Sequence, residues 1–333
     1  MTSSREPKTN YTRRFLGLGL FIIVLFGGYS AGWFWFAGRS EEAVRAAIAD
    51  FNGNGIAADC VNPGIKGFPF RIGLTCDRVE YEDSRQRISA SAGNLRTVAQ
   101  IYQPSRALVE LDGPLRVTAP DLPQLQFDWE LLHASARLAN PVPQRLSVEA
   151  RKLTGQASFT DGVPMPLFAA ENIQTHLRPN GADLDLAATF TGLIVDPAAL
   201  QGRKLPPLDG SADTSLANGV EMVANSDLRL RGRAGTIRSM TLTTGGSAGV
   251  SVSGPWSVAG DGLVDADLEV KILAPKKLSA ILSEAIPEER ERIEAVLSGL
   301  AALGDAPTLP LKIASGKATL GFIPLGMVPA VAR

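Results

Sequence analysis

Apolar residues follow three successive rhythms along this chain. From Phe15 to Phe36 they form one uncharged run, FLGLGLFIIVLFGGYSAGWFWF. Between 40 and 54 they take a helical period, with Val44, Ala47, Ile48 and Phe51 at i, i+3, i+4 and i+7 on one face. From about residue 56 the period drops to two, which is the rhythm of strands with one buried and one solvated face.

The first run predicts a membrane-spanning helix. At 1.5 Å per residue it measures about 33 Å, enough for a hydrocarbon core of roughly 30 Å. Arg5, Lys8, Arg13 and Arg14 precede it against the single acid Glu6. The positive-inside rule therefore keeps residues 1–14 in the cytoplasm and exports the rest. Tyr29, Trp33 and Trp35 fall near the exit end, where amphipathic rings favour the membrane interface. The competing reading is a cleaved signal peptide, for which Ser30-Ala31-Gly32 offers small residues. The apolar run continues past that point through Trp33-Phe34-Trp35-Phe36, as an anchor does.

The helical period over 40–54 predicts a short amphipathic helix, capped by Ser40 with Glu41 and Glu42 in its first turn. Gly53-Asn54-Gly55 predicts its end. Residues 55–333 then read as a β-rich domain. Its clearest strand alternates Val264, Ala266, Leu268, Val270 and Ile272 with Asp265, Asp267, Glu269 and Lys271, a pattern of antiparallel sheets. Shorter alternations occur at Val109–Leu111, Leu228–Leu230, Met240–Leu242, Val250–Val252 and Leu309–Ile313. Asp112-Gly113-Pro114, Asn180-Gly181 and Gly260-Asp261-Gly262 supply turn signals between strands.

Two alternations change phase partway. Phe70, Ile72, Leu74 and Cys76 give way to Val79 and Tyr81, and Leu184 to Phe190 give way to Leu193 and Val195 across Gly192. A change of phase predicts a bulge or bend. Between 275 and 303 a helical period returns in two stripes, Leu278-Ile281-Leu282-Ala285 and Ile293-Val296-Leu297-Leu300, with Pro287 between them. This predicts a helical hairpin, with Glu288–Arg292 as the solvated start of its second helix. The fold class is therefore mainly β: one transmembrane helix, then a large antiparallel sheet, forming either an open groove or a sandwich, with a helical hairpin near the end. The apolar ending, Gly321 to Pro329, either tucks into the sheet or presents a sticky end.

Composition narrows the function classes. The chain has 45% apolar and 20% charged residues, so it folds. Its 33 basic and 34 acidic residues are dispersed, which gives nucleic-acid binding no footing. Cys60 and Cys76 both lie in the exported part and pair as a disulfide in an oxidising compartment. Two free buried thiols are the alternative; C-x-x-C redox spacing and zinc-ligand spacing are both absent. His133 and His176 occupy ordinary strand positions. No nucleophile elbow, zinc-protease motif or P-loop is present, and Gly245–Gly249 reads as a loop between strands. Asp265 and Asp267 share one strand face, which a solvated surface explains. No catalytic, cofactor-binding or metal-binding residues are expected, and no enzyme.

Several features also occur together in a known group. They are the N-terminal anchor, the segment Gly64-Ile65-Lys66-Gly67-Phe68-Pro69-Phe70-Arg71, the Cys60/Cys76 pair flanking it, and the proline-rich apolar ending. Together they resemble the bacterial domain-of-unknown-function family 2125 over nearly the whole chain. The Gly-Phe-Pro-Phe-Arg segment is also remotely similar to AsmA-like envelope proteins. That likeness implies an inner-membrane anchor and a periplasmic β-rich groove connected with phospholipid traffic. The expected partners are the inner membrane and either a phospholipid, bound along the face of Val264, Ala266, Leu268, Val270 and Ile272, or another envelope protein, docked at an edge strand or the C-terminal tail. A closed sandwich acting as an interaction module is the alternative.

Overall fold

The computed structural model describes residues 11–53, 55–159, 163–225, 227 and 229–331. Arg5, Glu6, Lys8, Asn54 and Leu228 lie outside the described residues. Helix α1 runs unbroken from Tyr11 to Phe51, so the apolar run and the amphipathic segment are one rod. Ser40 is thus interior to a helix and caps nothing, a correction to the expected start. Two helices in register need no cap between them, because each backbone N–H finds its carbonyl four residues back.

The remaining chain is one antiparallel meander. Among the described residues, twenty extended segments pair only with neighbours in sequence order once the first ten are read as five interrupted strands. These five cover 56–66, 71–83, 88–100, 103–118 and 124–137. Each half of one pairs with the matching half of the next: Ile56–Val61 with Arg78–Asp83, and Gly64–Lys66 with Arg71–Cys76. The same holds along the series until both halves of the fifth strand meet the single strand Arg145–Ser158. From there strands continue through Pro164–Asn180, Asp183–Val195, Leu208–Leu216, Ala234–Thr244, Ala248–Val258 and Val264–Leu273 to the edge strand Ile323–Met327.

The interruptions align into a crease. Asp77 N–H bonds to the Val61 carbonyl, Gly93 and Asp112 are joined by a 3.0 Å bond, and Glu130 N–H bonds to the Arg151 carbonyl. The line continues at Lys152 (φ +51°) and at Gly192 (φ +62°), and register shifts at the second. The phase changes read from sequence at Asp77 and Gly192 are points on this crease. Asp112-Gly113-Pro114 corrects an expectation: it does not reverse the chain. It bends a strand whose two halves keep the same neighbours. Arg96 straps that bend with a bidentate contact to Asp112 at 2.7 and 2.6 Å. Asn180-Gly181 and Gly260-Asp261-Gly262 do reverse the chain. Leu230 lies in irregular backbone before Ala234, so the strand expected at Leu228–Leu230 does not form among the described residues.

Buried apolar side chains within the sheet domain gather chiefly in two places. Small ones flank the crease: Cys60, Cys76, Ala92, Ala150 and Ala170. Cys60 and Cys76 are joined as a disulfide between adjacent strands, Cα atoms 5.3 Å apart. The second place lies under a hairpin of α3 (Pro275–Ala285) and α4 (Arg290–Ala301), where Leu278 and Leu297 pack onto Ala248, Val270 and Ile272. Short α2 (Gly219–Ala224) closes one loop, burying Met222.

Candidate functional site

The meander register builds rows of side chains that cross the sheet. One row runs from Ile173 through Phe190, Gly210, Leu242 and Val250 to Ile272. The next runs Thr175, Ala188, Ala212, Met240, Val252, Val270. Because neighbouring strands keep register, apolar positions stay on one face for strand after strand.

Cover over this face is uneven. The hairpin α3–α4 sits on its far side, with Ile281, Leu282, Ile293 and Leu300 packed around the buried cluster. Glu288, next to Pro287, forms an ion pair with Arg203, and Lys277 Nζ lies 3.3 Å from Ser247 Oγ. The strand Val264–Leu273 lies in this region: Ala266, Leu268, Val270 and Ile272 are buried, and Val264 is half-buried. Of the five residues that the sequence offers as a ligand-binding face, Val270 and Ile272 lie under the hairpin, so of the two expected arrangements, open or packed, this strand takes the packed one. Two strands away the cover ends. Met240 is 42% and Leu242 47% exposed, and Leu186 is exposed as well.

Glycine shapes this surface at two positions. A Cβ on Gly210 would lie 2.2 Å from the Phe190 ring, and one on Gly155 would lie 2.5 Å from the Phe168 ring. Each glycine is the cross-strand partner of its phenylalanine. The rings thus lie down over bare backbone and do not stand up as walls between strands.

α1 meets the domain at the Gly67–Arg71 turn. The Phe68 ring sits among Phe26, Tyr29, Trp33 and Phe34, with centroids 5.4–6.4 Å away. The Tyr29 hydroxyl donates to the Pro69 carbonyl, and Trp33 Nε1–H donates to the Arg71 carbonyl at 3.2 Å. Trp33 is 7% exposed, whereas Trp35 points outward. Two of the three expected interface aromatics therefore hold the turn. Sequence reasoning missed this contact, although Phe26, Tyr29 and Trp33 recur at i, i+3 and i+7. Farther along, Asn52 bonds both backbone groups of Ala58, tying the end of α1 to the first strand.

The polar face carries ordinary strand pairs. His133 lies 3.6 Å from Glu149, and His176 Nδ1 lies 2.9 Å from Ser147 Oγ, both across strands. Asp265 accepts the Ser315 N–H at 2.7 Å and so fixes a turn. Buried Asp185 accepts from Arg238 at 2.9 Å and from Arg178 at 3.3 Å. The Arg238 hydrogen bond, with help from Ser215 and Arg178, holds its carboxyl below the usual aspartate range. Among the described residues no three His, Cys, Asp or Glu side chains form a metal-sized group.

Comparison with curated proteins gives no match. The family described as "Uncharacterized protein conserved in bacteria (DUF2125)" matches residues 33–329, nearly the whole of the sheet domain together with the second half of α1, and the chain belongs to that family.

Proposed function

We propose that this chain is a single-pass inner-membrane protein with a cytoplasmic N-terminus and a periplasmic sheet domain that binds an apolar chain, such as a phospholipid acyl chain. The role is a non-enzymatic one in the bacterial cell envelope. The observation that carries the reading is the uneven cover of the apolar rows: buried at Val270 and Ile272, open at Met240 and Leu242. An open strip beside a packed one offers an elongated apolar surface without acid–base machinery around it. A retained anchor is supported by the continuity of α1 through Ser30–Gly32 and by the packing of Phe26 and Tyr29 on Phe68. These residues precede the point at which a signal peptide would be cut.

The test is photo-crosslinking of the full chain in membranes with a diazirine-bearing phospholipid, followed by peptide mapping. Adducts on Leu208–Leu216 and Ala234–Thr244, lost in Met240→Asp/Leu242→Asp, are the expected result. Adducts confined to α1 would refute ligand binding by the sheet. One observation favours a second reading, an interaction module. The edge strand Ile323–Met327 pairs on one side only among the described residues and exposes Ile323, Leu325 and Met327. In that case the sheet carries no lipid adduct and the edge strand crosslinks to protein.

A further inference from the structure

The first strand, 56–66, runs back along α1 from Asn52, which bonds Ala58, to Trp33, which bonds Arg71, so the two ends of this strand lie at different heights on the helix. The Gly67–Arg71 turn packs against Phe26 and Tyr29. At 1.5 Å per residue these lie about 15 and 10 Å below Phe36, inside the apolar run. Two further turns lie at the same end of neighbouring strands. Ile101 N–H bonds to the Phe70 carbonyl at 3.1 Å, and Leu138 N–H bonds to the Ser105 carbonyl at 2.7 Å. These three turns expose Phe70 (65%), Ile101, Tyr102 (68%) and Leu138.

Immediately behind these tips is a cationic row. Arg106 is the register partner of Arg137, and Arg137 of Arg145. Arg71 follows Phe70 directly, and all four arginines line one shallow concavity with a single carboxylate, Glu110. Glu110 faces Arg96, and no ion pair among the described residues engages Arg71, Arg106, Arg137 or Arg145. Like charges set side by side and left unpaired repel one another, so a fold retains them at a cost unless anions meet them. Farther from α1 at the same end, three turns are polar, Asn180-Gly181, Gly260-Asp261-Gly262 and Ser315-Gly316, and the connection between Leu216 and Ala234 exposes the one large apolar side chain Leu230 among its described residues. Exposed apolar groups such as Phe322 also occur at the opposite end, but there no helix segment of the apolar run accompanies them.

We propose that this end of the sheet is a second membrane contact: Phe70, Ile101, Tyr102 and Leu138 enter the leaflet through which α1 leaves, and Arg71, Arg106, Arg137 and Arg145 bind the phosphates of anionic lipid headgroups. The inference rests on α1 being a retained span. It places Trp33 and Arg71 together at headgroup level, with the apolar tips below and the arginine row above. The domain is thus held with one end of its strands against the bilayer, and the open apolar strip leads away from it.

The test uses the full chain in nanodiscs of phosphatidylcholine, with or without phosphatidylglycerol. The native cysteines are bonded to each other, so Tyr102→Cys and, at the opposite end, Gln86→Cys each accept one nitroxide label. The expected result is a label at 102 that oxygen reaches and aqueous nickel chelate does not, most strongly with phosphatidylglycerol, while the label at 86 stays open to nickel. Each charge neutralisation among Arg106→Gln, Arg137→Gln and Arg145→Gln weakens the docking equilibrium about fivefold, without altering the label at 86. A label at 102 as open to nickel as that at 86, in a chain that resists alkaline carbonate extraction, overturns this inference alone. Release of the chain by carbonate overturns the anchor and this inference together.

Discussion

Val270→Asp and Met240→Asp place the same charge in the same row of the sheet, two strands apart, and the structure separates their consequences. Val270 is 7% exposed and sits in the cluster with Leu278 and Leu297. Removing its side chain from the core forfeits about 2 kcal/mol of apolar burial. An aspartate there has no partner and adds about 3 kcal/mol for an unpaired buried polar group, partly relieved by protonation. The sum, about 5 kcal/mol, is comparable with the whole stability of many domains. For a unit of this size it corresponds to a melting point lower by at least about 10 °C. Met240 is 42% exposed, so the same change there costs about 1 kcal/mol or less. Circular-dichroism melts of both variants in detergent check this. Equal destabilisation would refute the reasoning, because it would mean that the strip at Met240 is covered as tightly as the strip under the hairpin. A tolerated Val270→Asp would show that α3–α4 does not rest on the sheet.

Three further outcomes follow from named contacts. Gly210→Val drives a Cβ into the Phe190 ring and destabilises by about 1–3 kcal/mol, and adding Phe190→Ala recovers part of the loss in a denaturant melt. Cys60→Ser/Cys76→Ser removes a crosslink across adjacent strands and costs about 3 kcal/mol, seen as a lower urea midpoint than that of the oxidised chain. The depressed Asp185 carboxyl stabilises the fold fully above its ordinary value of 3.8, and that contribution is lost as pH falls below it. Asp185→Asn therefore lowers stability by about 1–3 kcal/mol at pH 7 and much less at pH 2, a difference that pH-dependent unfolding measures.

The turn at Gly67–Arg71 illustrates how sequence legibility depends on range. Its residues carry a family resemblance, and the helix face of Phe26, Tyr29 and Trp33 is plain from spacing. That one grips the other is a contact between residues about 40 positions apart, which no local pattern encodes. The crease makes the same point. A phase change at Asp77 or Gly192 is visible in the alternation, but its alignment across successive strands depends on the pairing partners.

By itself the sequence determined the apolar helix, the antiparallel class of the sheet, the helical hairpin and the closeness of Cys60 to Cys76. Each follows from period, composition or short separation, which act within a few residues. Tertiary structure alone decided that Asp112-Gly113-Pro114 bends a strand without ending it. It also decided that α3–α4 covers Val270 and leaves Met240 bare. An alternating strand announces that it has an apolar face. What comes to lie on that face is chosen by distant segments competing to remove it from water, and the winner is fixed only when the whole sheet has formed.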